Sequence, residues 1–422
     1  MDIRDILVVI GASVGVAGLV LNLLSRRAAN LAARREEVKS IRRYVRDRLH
    51  TLTALALKDS NSSWFFGDVP LLTRSGWVLD DPAELESLAL HWNPTPNTVR
   101  WNAARTRASR LLPTLEGGRG RLSYSEAIIE IGGATNLFNG PVYRLEGINV
   151  GGGDVSLEFA QGRYFEYLDT SEVLAYEVGV ILRDKKASLR AAKYRKWLGD
   201  PFDLTNRATS VGVVTLTIRK SNAACGFYLH QRSDRNVTVG SGQVHVVPAG
   251  EFTPADLTQP ATKRDLVLWH NVMREYAEEF LGVPESFGRT GKSPDYLNDW
   301  PYVELNRARS SGMLRCHILG IGLDPLTWKP EILTCCVIDS GAFDALFLPS
   351  ILGRSMDQEA TTTEPGISEG IILSGGRGQG LPFVNDNVAS YVDSEYTRPA
   401  GRACLQLAWR HREALGIAPD GV

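Results

Sequence analysis

The sequence predicts a mixed α+β or α/β fold divided into more than one domain, and three observations carry that prediction. The chain has 422 residues, more than one hydrophobic core usually serves. The β-branched runs SVGVVTLTI (210–218) and EILTCCVID (331–339) have strand composition. Segments of helical period lie between such runs without strict βα alternation, which points to a sandwich of helices on a mixed sheet.

Composition excludes more than it assigns. A hydrophobic content of 43% and a charged content of 23% are ordinary for a globular protein. With 47 Lys+Arg against 48 Asp+Glu the net charge is −1. No global basic field points to nucleic acid, and none is expected as a partner. The five cysteines, Cys225, Cys316, Cys335, Cys336 and Cys404, are odd in number and form no CxxC pair. They argue against a disulfide framework or a thiolate zinc site, and for a reducing compartment.

The N-terminus departs from this bland average. Residues 6–24, ILVVIGASVGVAGLVLNLL, run for 19 residues without a formal charge, about the length that crosses a bilayer core. Residues 26–48 carry nine basic and three acidic side chains, a net +6, whereas the residues ahead of the run sum to −1. The positive side stays in the cytoplasm, so the expectation is a single-pass transmembrane helix over 1–25 with a cytoplasmic body. A cleavable signal would carry its charge ahead of the apolar run. Gly11 and Gly15 form a GxxxG pair that would bring two such helices together as a homodimer. Residues 26–58 continue as a basic juxtamembrane helix suited to anionic headgroups.

Residues 59–203 read as an accessory domain without a catalytic constellation. DSNSS (59–63) breaks the helical pattern, and Trp64, Trp77, Trp92 and Trp101 follow close together. VYRLEGINV (142–150) and VSLEFA (155–160) suit a hairpin. Residues 164–182 suit a helix, and 185–200 a basic amphipathic helix ending in a glycine cap. From 204 to 422 the texture changes. Strands are expected at 210–218, 225–233 and 243–250, the last stopping at Pro-Ala-Gly. A helix follows over 264–281, then strands at 313–323 and 331–339, a polar Gly-rich loop near 353–380, and helices at 384–392 and 403–415.

The chemistry concentrates in NVMREYAEEFLG (271–282). On a helix Glu275, Glu278 and Glu279 fall at i, i+3 and i+4, where like charges repel by a few tenths of a kcal/mol. Trp269, Val272, Met273, Tyr276, Phe280 and Leu281 form an apolar stripe that would dock on a sheet. Two readings stand at this point, a solvated acidic face or a hard-cation site. Mg²⁺ suits the second, because it takes few carboxylates and keeps waters or substrate phosphates as its other ligands.

The surroundings of this helix resemble a known family. Arg274-Glu275-Tyr276-Ala277-Glu278-Glu279, preceded by a strand ending in Pro248-Ala249-Gly250 and by one ending in LHQRS (229–233), is similar to the signature of the Nudix hydrolases over about residues 205–415. The resemblance implies a Nudix-like α/β/α sandwich and a pyrophosphohydrolase that directs water onto a nucleoside diphosphate joined to another moiety. It implies that Glu275, Glu278 and Glu279 bind Mg²⁺ or Mn²⁺, and that Arg274 orients them. The Ala249 carbonyl, at the turn beside Gly250, would complete the coordination. Pro-Ala-Gly resembles the branch acting on ADP-ribose-like substrates. Glu369, on a later loop, is the candidate general base, its other reading being a strand-edge carboxylate.

Three departures bear on the rate. Asp256 stands where the family has Glu, and about ten residues are inserted before Arg274. One residue is also extra between Glu279 and Gly282. The expectation is therefore a membrane-anchored, Mg²⁺-dependent hydrolase of a nucleotide-type small molecule, with a catalytically weak nucleotide sensor as the alternative. GASVG (11–15) and SFGRTGKS (286–293) are not taken as catalytic motifs, although Arg289 or Lys292 could touch a phosphate.

Overall fold

A computed structural model describes residues 3–66, 68–95, 99–113, 121–131, 137–151, 154–183, 188–232, 243–256, 259–284, 293–356, 370–373 and 378–417. The chain opens with α1 (Ile3–Asp47), a 45-residue helix, followed by α2 (Leu49–Asp59). The apolar run is thus the first part of a longer helix that continues into the basic stretch without a break. Among the described residues, no helix is long and apolar enough to cross a membrane. The expected single-pass anchor, its cytoplasmic orientation and the membrane as a partner are corrected accordingly. The Gly11 and Gly15 pair lies outside the residues whose side chains are described.

The later part of α1 is docked, not a free juxtamembrane helix. Val38 and Ile41 are buried, and α1 packs along α6 (defined below) where Gly179 allows close approach. A Cβ at Gly179 would meet the side chains of Val45 and Ile41.

The 59–203 stretch supplies β1 (Val78–Glu84), β2 (Ala89–Asn93), α3 (Val99–Ala108), α4 (Tyr124–Glu130), β3 (Pro141–Gly151) and β4 (Asp154–Arg163). It ends with α5 (Tyr164–Tyr167), a π turn at Leu168–Glu172, α6 (Val173–Leu182) and α7 (Lys193–Leu198). The expected hairpin is present as β3 and β4, paired antiparallel from Pro141↔Arg163 to Gly151↔Asp154. α4 starts at a capping box in which Ser123 and Glu126 satisfy each other's backbone N–H. Of the basic helix expected over 185–200, the described residues form a 3₁₀ turn at Leu189–Ala191 and α7 at Lys193–Leu198, before Gly199 turns at φ 80°.

The remaining residues supply β5 (Gly212–Lys220), β6 (Cys225–Phe227), β7 (Leu229–Arg232), β8 (Val244–Val246), β9 (Ala249–Glu251), β10 (Leu314–Leu323), β11 (Pro330–Asp339), β12 (Gly370–Leu373) and β13 (Leu381–Pro382); β12, β7 and β8 form a small sheet of their own, and the others join β1 in the main sheet. The helices are α8 (Gln259–Arg264), α9 (Leu268–Glu275), α10 (Tyr302–Ser310), α11 (Ser340–Met356), α12 (Asn385–Val392) and α13 (Pro399–Arg410). The sheet runs β1-β10-β11-β5-β6-β13, with β9 also paired on β5. β5 and β11 are parallel and the other pairs antiparallel. The chain is therefore an α+β protein with mixed sheets. Strand β1 belongs to the stretch expected as a separate accessory domain, yet it pairs with β10.

Helices cover both faces of this sheet, as the strand alternation requires. Val213 faces one side with Val272, Met273, Tyr276 and Phe280 of the carboxylate helix and Phe343 and Phe347 of α11. Val214, Leu216 and Ile218 face the other, against Ala403, Cys404 and Leu407 of α13. Each aromatic fully buried here contributes roughly 2–3 kcal/mol.

All five cysteines are free thiols, four of them buried and Cys225 half-buried. Burial pushes the Cys316, Cys335 and Cys404 thiols up, and reactivity needs an accessible thiolate. Titration with a thiol reagent should find one reactive cysteine in the native protein and all five after denaturation.

Candidate functional site

The expected helix forms as α9, and it does not end as an α-helix. Residues Tyr276–Phe280 make a π turn, and Gly282, at φ 71°, closes it. The wider i→i+5 turn absorbs a residue, and it coincides with the extra residue between Glu279 and Gly282. Glu278 lies within this turn, close enough to Arg274 and Tyr302 to influence their titration.

Glu275 and Glu279 remain at the Pro-Ala-Gly turn. The carboxylate of Glu275 occupies the space that a Cβ at Gly250 would fill. Glu279 Oε2 accepts a hydrogen bond of 3.2 Å from the Ala249 N–H. Burial holds the Glu275 carboxyl up at about 7; Arg274 and Lys329 pull it down and Glu251 pushes it further up.

Arg274 points elsewhere. It donates to the Tyr296 hydroxyl at 3.1 Å, to Asn271 Oδ1 at 3.0 Å and to the Thr253 carbonyl, and Asp265 lies 3.9 Å away. Its hydrogen bonds thus fix the loop between turn and helix, and its effect on the carboxylates is through charge. Asp256 accepts from Ser293 and lies 3.6 Å from Arg264, so those partners hold it in the same loop. The inserted residues form α8, which the Tyr143 hydroxyl of β3 pins through the Thr262 carbonyl at 2.7 Å. His270 stacks on Tyr296 with centroids 3.9 Å apart, and its Nδ1 has no hydrogen-bond partner.

On the other face of β9 lies a cavity of about 690 Å³, within the size range of small-molecule sites. One row of the sheet sets its floor, with Glu331 on β11 opposite Gly212 on β5 and Gly212 opposite Glu251 on β9. Gly212 is required there, because a Cβ would overlap the Glu331 carboxylate and approach Lys329 Nζ. Into that gap Lys329 places its ammonium, 2.6 Å from Glu251 Oε1 and 3.6 Å from Glu331 Oε1. Burial pushes Glu331 up to about 7 against the pull of Lys329 and Arg398. Burial works against the Lys329 charge too, but Glu251 and Glu331 outweigh it and its pKa is raised. The walls come from α1 and α2 (Arg42, His50), from Glu172 ahead of α6, and from the start of α13 (Thr397, Arg398, Arg402).

The structure thus brings Ala249, Gly250, Glu275 and Glu279 together, with Glu278 in the same π turn. Glu369, Arg289 and Lys292 lie outside the described residues. Among the described residues, no three His, Cys, Asp or Glu side chains are grouped as a metal cage. Nothing in the sequence marks Lys329, Glu331, Glu251 and Arg398 as a set, since they are spread over about 150 residues with no shared spacing. The nearest available signal was Gly212, a glycine inside a β-branched strand, which marks a close approach.

No protein-family model matches this sequence, and no curated protein sequence matches it.

Proposed function

We propose that the chain is a Nudix-type hydrolase of a diphosphate linkage, acting on a nucleoside-diphosphate derivative with Mg²⁺ or Mn²⁺, on a Nudix-like α/β/α sandwich. The observation that carries this reading is the meeting of turn and helix. Gly250 has no side chain where the Glu275 carboxylate sits, and Glu279 bonds the Ala249 N–H. That contact joins two motifs that are 25 residues apart in sequence, and a merely solvated acidic face would not need it.

The donors fit a hard divalent cation. Two carboxylates and a backbone carbonyl are all oxygen, and Mg²⁺ completes such a set with waters and substrate phosphates. When bound, the ion would polarise a phosphoryl oxygen and favour ionisation of an attacking water. The protein's own part is to hold Glu275 and Glu279 at the turn, with Arg274 fixing the loop between them.

A catalytically weak nucleotide sensor is the second reading, favoured by the walls of the cavity beside the turn, which are drawn from α1 and α2 as well as from the sheet. Incubating the protein with ADP-ribose and other nucleoside diphosphate derivatives in Mg²⁺ separates the two. The hydrolase reading expects phosphate-ester products, with turnover lowered at least about 100-fold by Glu275→Gln and by Glu279→Gln. Binding without products would replace it with the sensor.

A further inference from the structure

The cavity on the far face of β9 leaves two of its own groups unsatisfied. Thr397 is 2% exposed, lines the cavity and makes no hydrogen bond through Oγ1. Glu251 Oε2 is buried without a donor, while its Oε1 holds Lys329. A buried hydroxyl and a buried carboxylate oxygen left without partners are each costly, and such groups in a folded chain call for an explanation.

The surroundings of Thr397 define what would satisfy it. Arg398 is the N-cap of α13, a 12-residue helix, and no side chain caps the helix. Free N–H groups and the helix dipole favour an anion at such an end. Arg402, one turn further, spends its Nε on the Val392 carbonyl at 2.6 Å, which leaves its terminal amino groups for other partners. Arg42 lines the cavity from α1, beside the Tyr124 hydroxyl and Glu172. Lys329 is already engaged by Glu251 and Glu331, Arg46 lies 3.2 Å from Asp47, and the His50 ring lies 3.7 Å from Glu395. The Arg398 guanidinium makes no hydrogen bond or ion pair within 4 Å among the described residues.

An anion therefore fits one end of the cavity and a donor group fits Glu251, with Tyr164, Tyr167 and Tyr396 among the lining residues. We propose that this cavity binds a phosphorylated small molecule of nucleotide size. Its phosphates are held by Thr397, Arg398, Arg402 and the start of α13, and a hydroxyl of its organic part donates to Glu251. None of these residues belongs to the carboxylate helix, so the inference does not rest on the metal-dependent reading. Because Arg42 and His50 stand on the opposite wall, a bound ligand ties α1 and α2 to α13. The His50 ring already lies 4.7 Å from that of Tyr396.

The test uses the full chain in EDTA, with ADP and inorganic pyrophosphate as probes, followed by calorimetry and by hydrogen exchange. ADP is expected to bind and to slow exchange in residues 42–53 and 396–402, with pyrophosphate at least about tenfold weaker. Arg398→Gln and Thr397→Val should each weaken both probes at least about tenfold, and Glu251→Gln should weaken ADP alone. ADP binding in EDTA that Arg398→Gln and Thr397→Val weaken supports this reading whatever the outcome with ADP-ribose in Mg²⁺, where an absence of products would sink the hydrolase reading alone. No ADP heat at millimolar concentration with unchanged exchange would overturn it, as would ADP binding indifferent to Arg398→Gln and Thr397→Val.

Discussion

Replacing Lys329 by methionine is expected to cost about 3–5 kcal/mol of stability at pH 8, the range for removing one partner of a buried ion pair. Methionine keeps the stem and removes the charge, so Glu251 and Glu331 lose the ammonium between them. The effect depends on pH in a defined direction. Glu331 is held up at about 7 in the folded chain against 4.5 for the ordinary side chain. A carboxyl with a raised folded value favours folding at low pH, and its contribution declines as pH rises through the window from 4.5 to 7. At pH 5 Glu331 is protonated, and one of the two stranded charges disappears. The penalty of Lys329→Met should then fall by roughly half. Urea unfolding at the two pH values measures it, and an equal loss at both would show that Lys329 is not the counter-charge of Glu331.

Gly250→Ala is expected to damage both stability and turnover. Its Cβ would overlap the Glu275 carboxylate, so either the turn or the helix must move. Overpacking of this kind costs about 1–3 kcal/mol. A displacement of about 1 Å at a catalytic group can cost 100-fold in rate, and that loss in Mg²⁺-dependent turnover is the expected result. The double variant Gly250→Ala/Glu275→Ala removes the clash and should recover most of the stability without recovering turnover. If the double variant were no more stable than Gly250→Ala alone, the overlap with Glu275 would not be the cause.

The legible parts of this protein are those with local periodicity. The β-branched runs became β5 and β11, the hairpin became β3 and β4, and Trp269, Val272, Met273, Tyr276 and Phe280 became the docking face of the carboxylate helix. The meeting of Ala249-Gly250 with Glu275 and Glu279 was anticipated from motif order. The π turn at Tyr276–Phe280 was not, because helical spacing assumes 3.6 residues per turn and a π turn breaks that assumption. The apolar N-terminal run misled for a related reason. A hydropathy window judges a segment by itself, whereas α1 runs on for 45 residues and docks its later part against α6. The helix Ser340–Met356 was missed because Pro349 sits inside it, and proline ordinarily argues against a helix interior.

The pairing of β1 with β10 has a practical consequence for anyone dividing this chain. Bonds such as Ile321 N–H to the Trp77 carbonyl at 2.7 Å, and the reciprocal bonds between Leu72 and Leu323 at 3.0 and 2.8 Å, seal the flank of β10. A fragment beginning near residue 204 would lose both segments. It would bare a ten-residue strand whose side chains are almost all apolar and buried in the intact protein. Such an unprotected edge invites strand addition from a second molecule. Expression of the C-terminal half alone is therefore a recipe for inclusion bodies, whereas a cut that retains residues 69–84 keeps the flank closed.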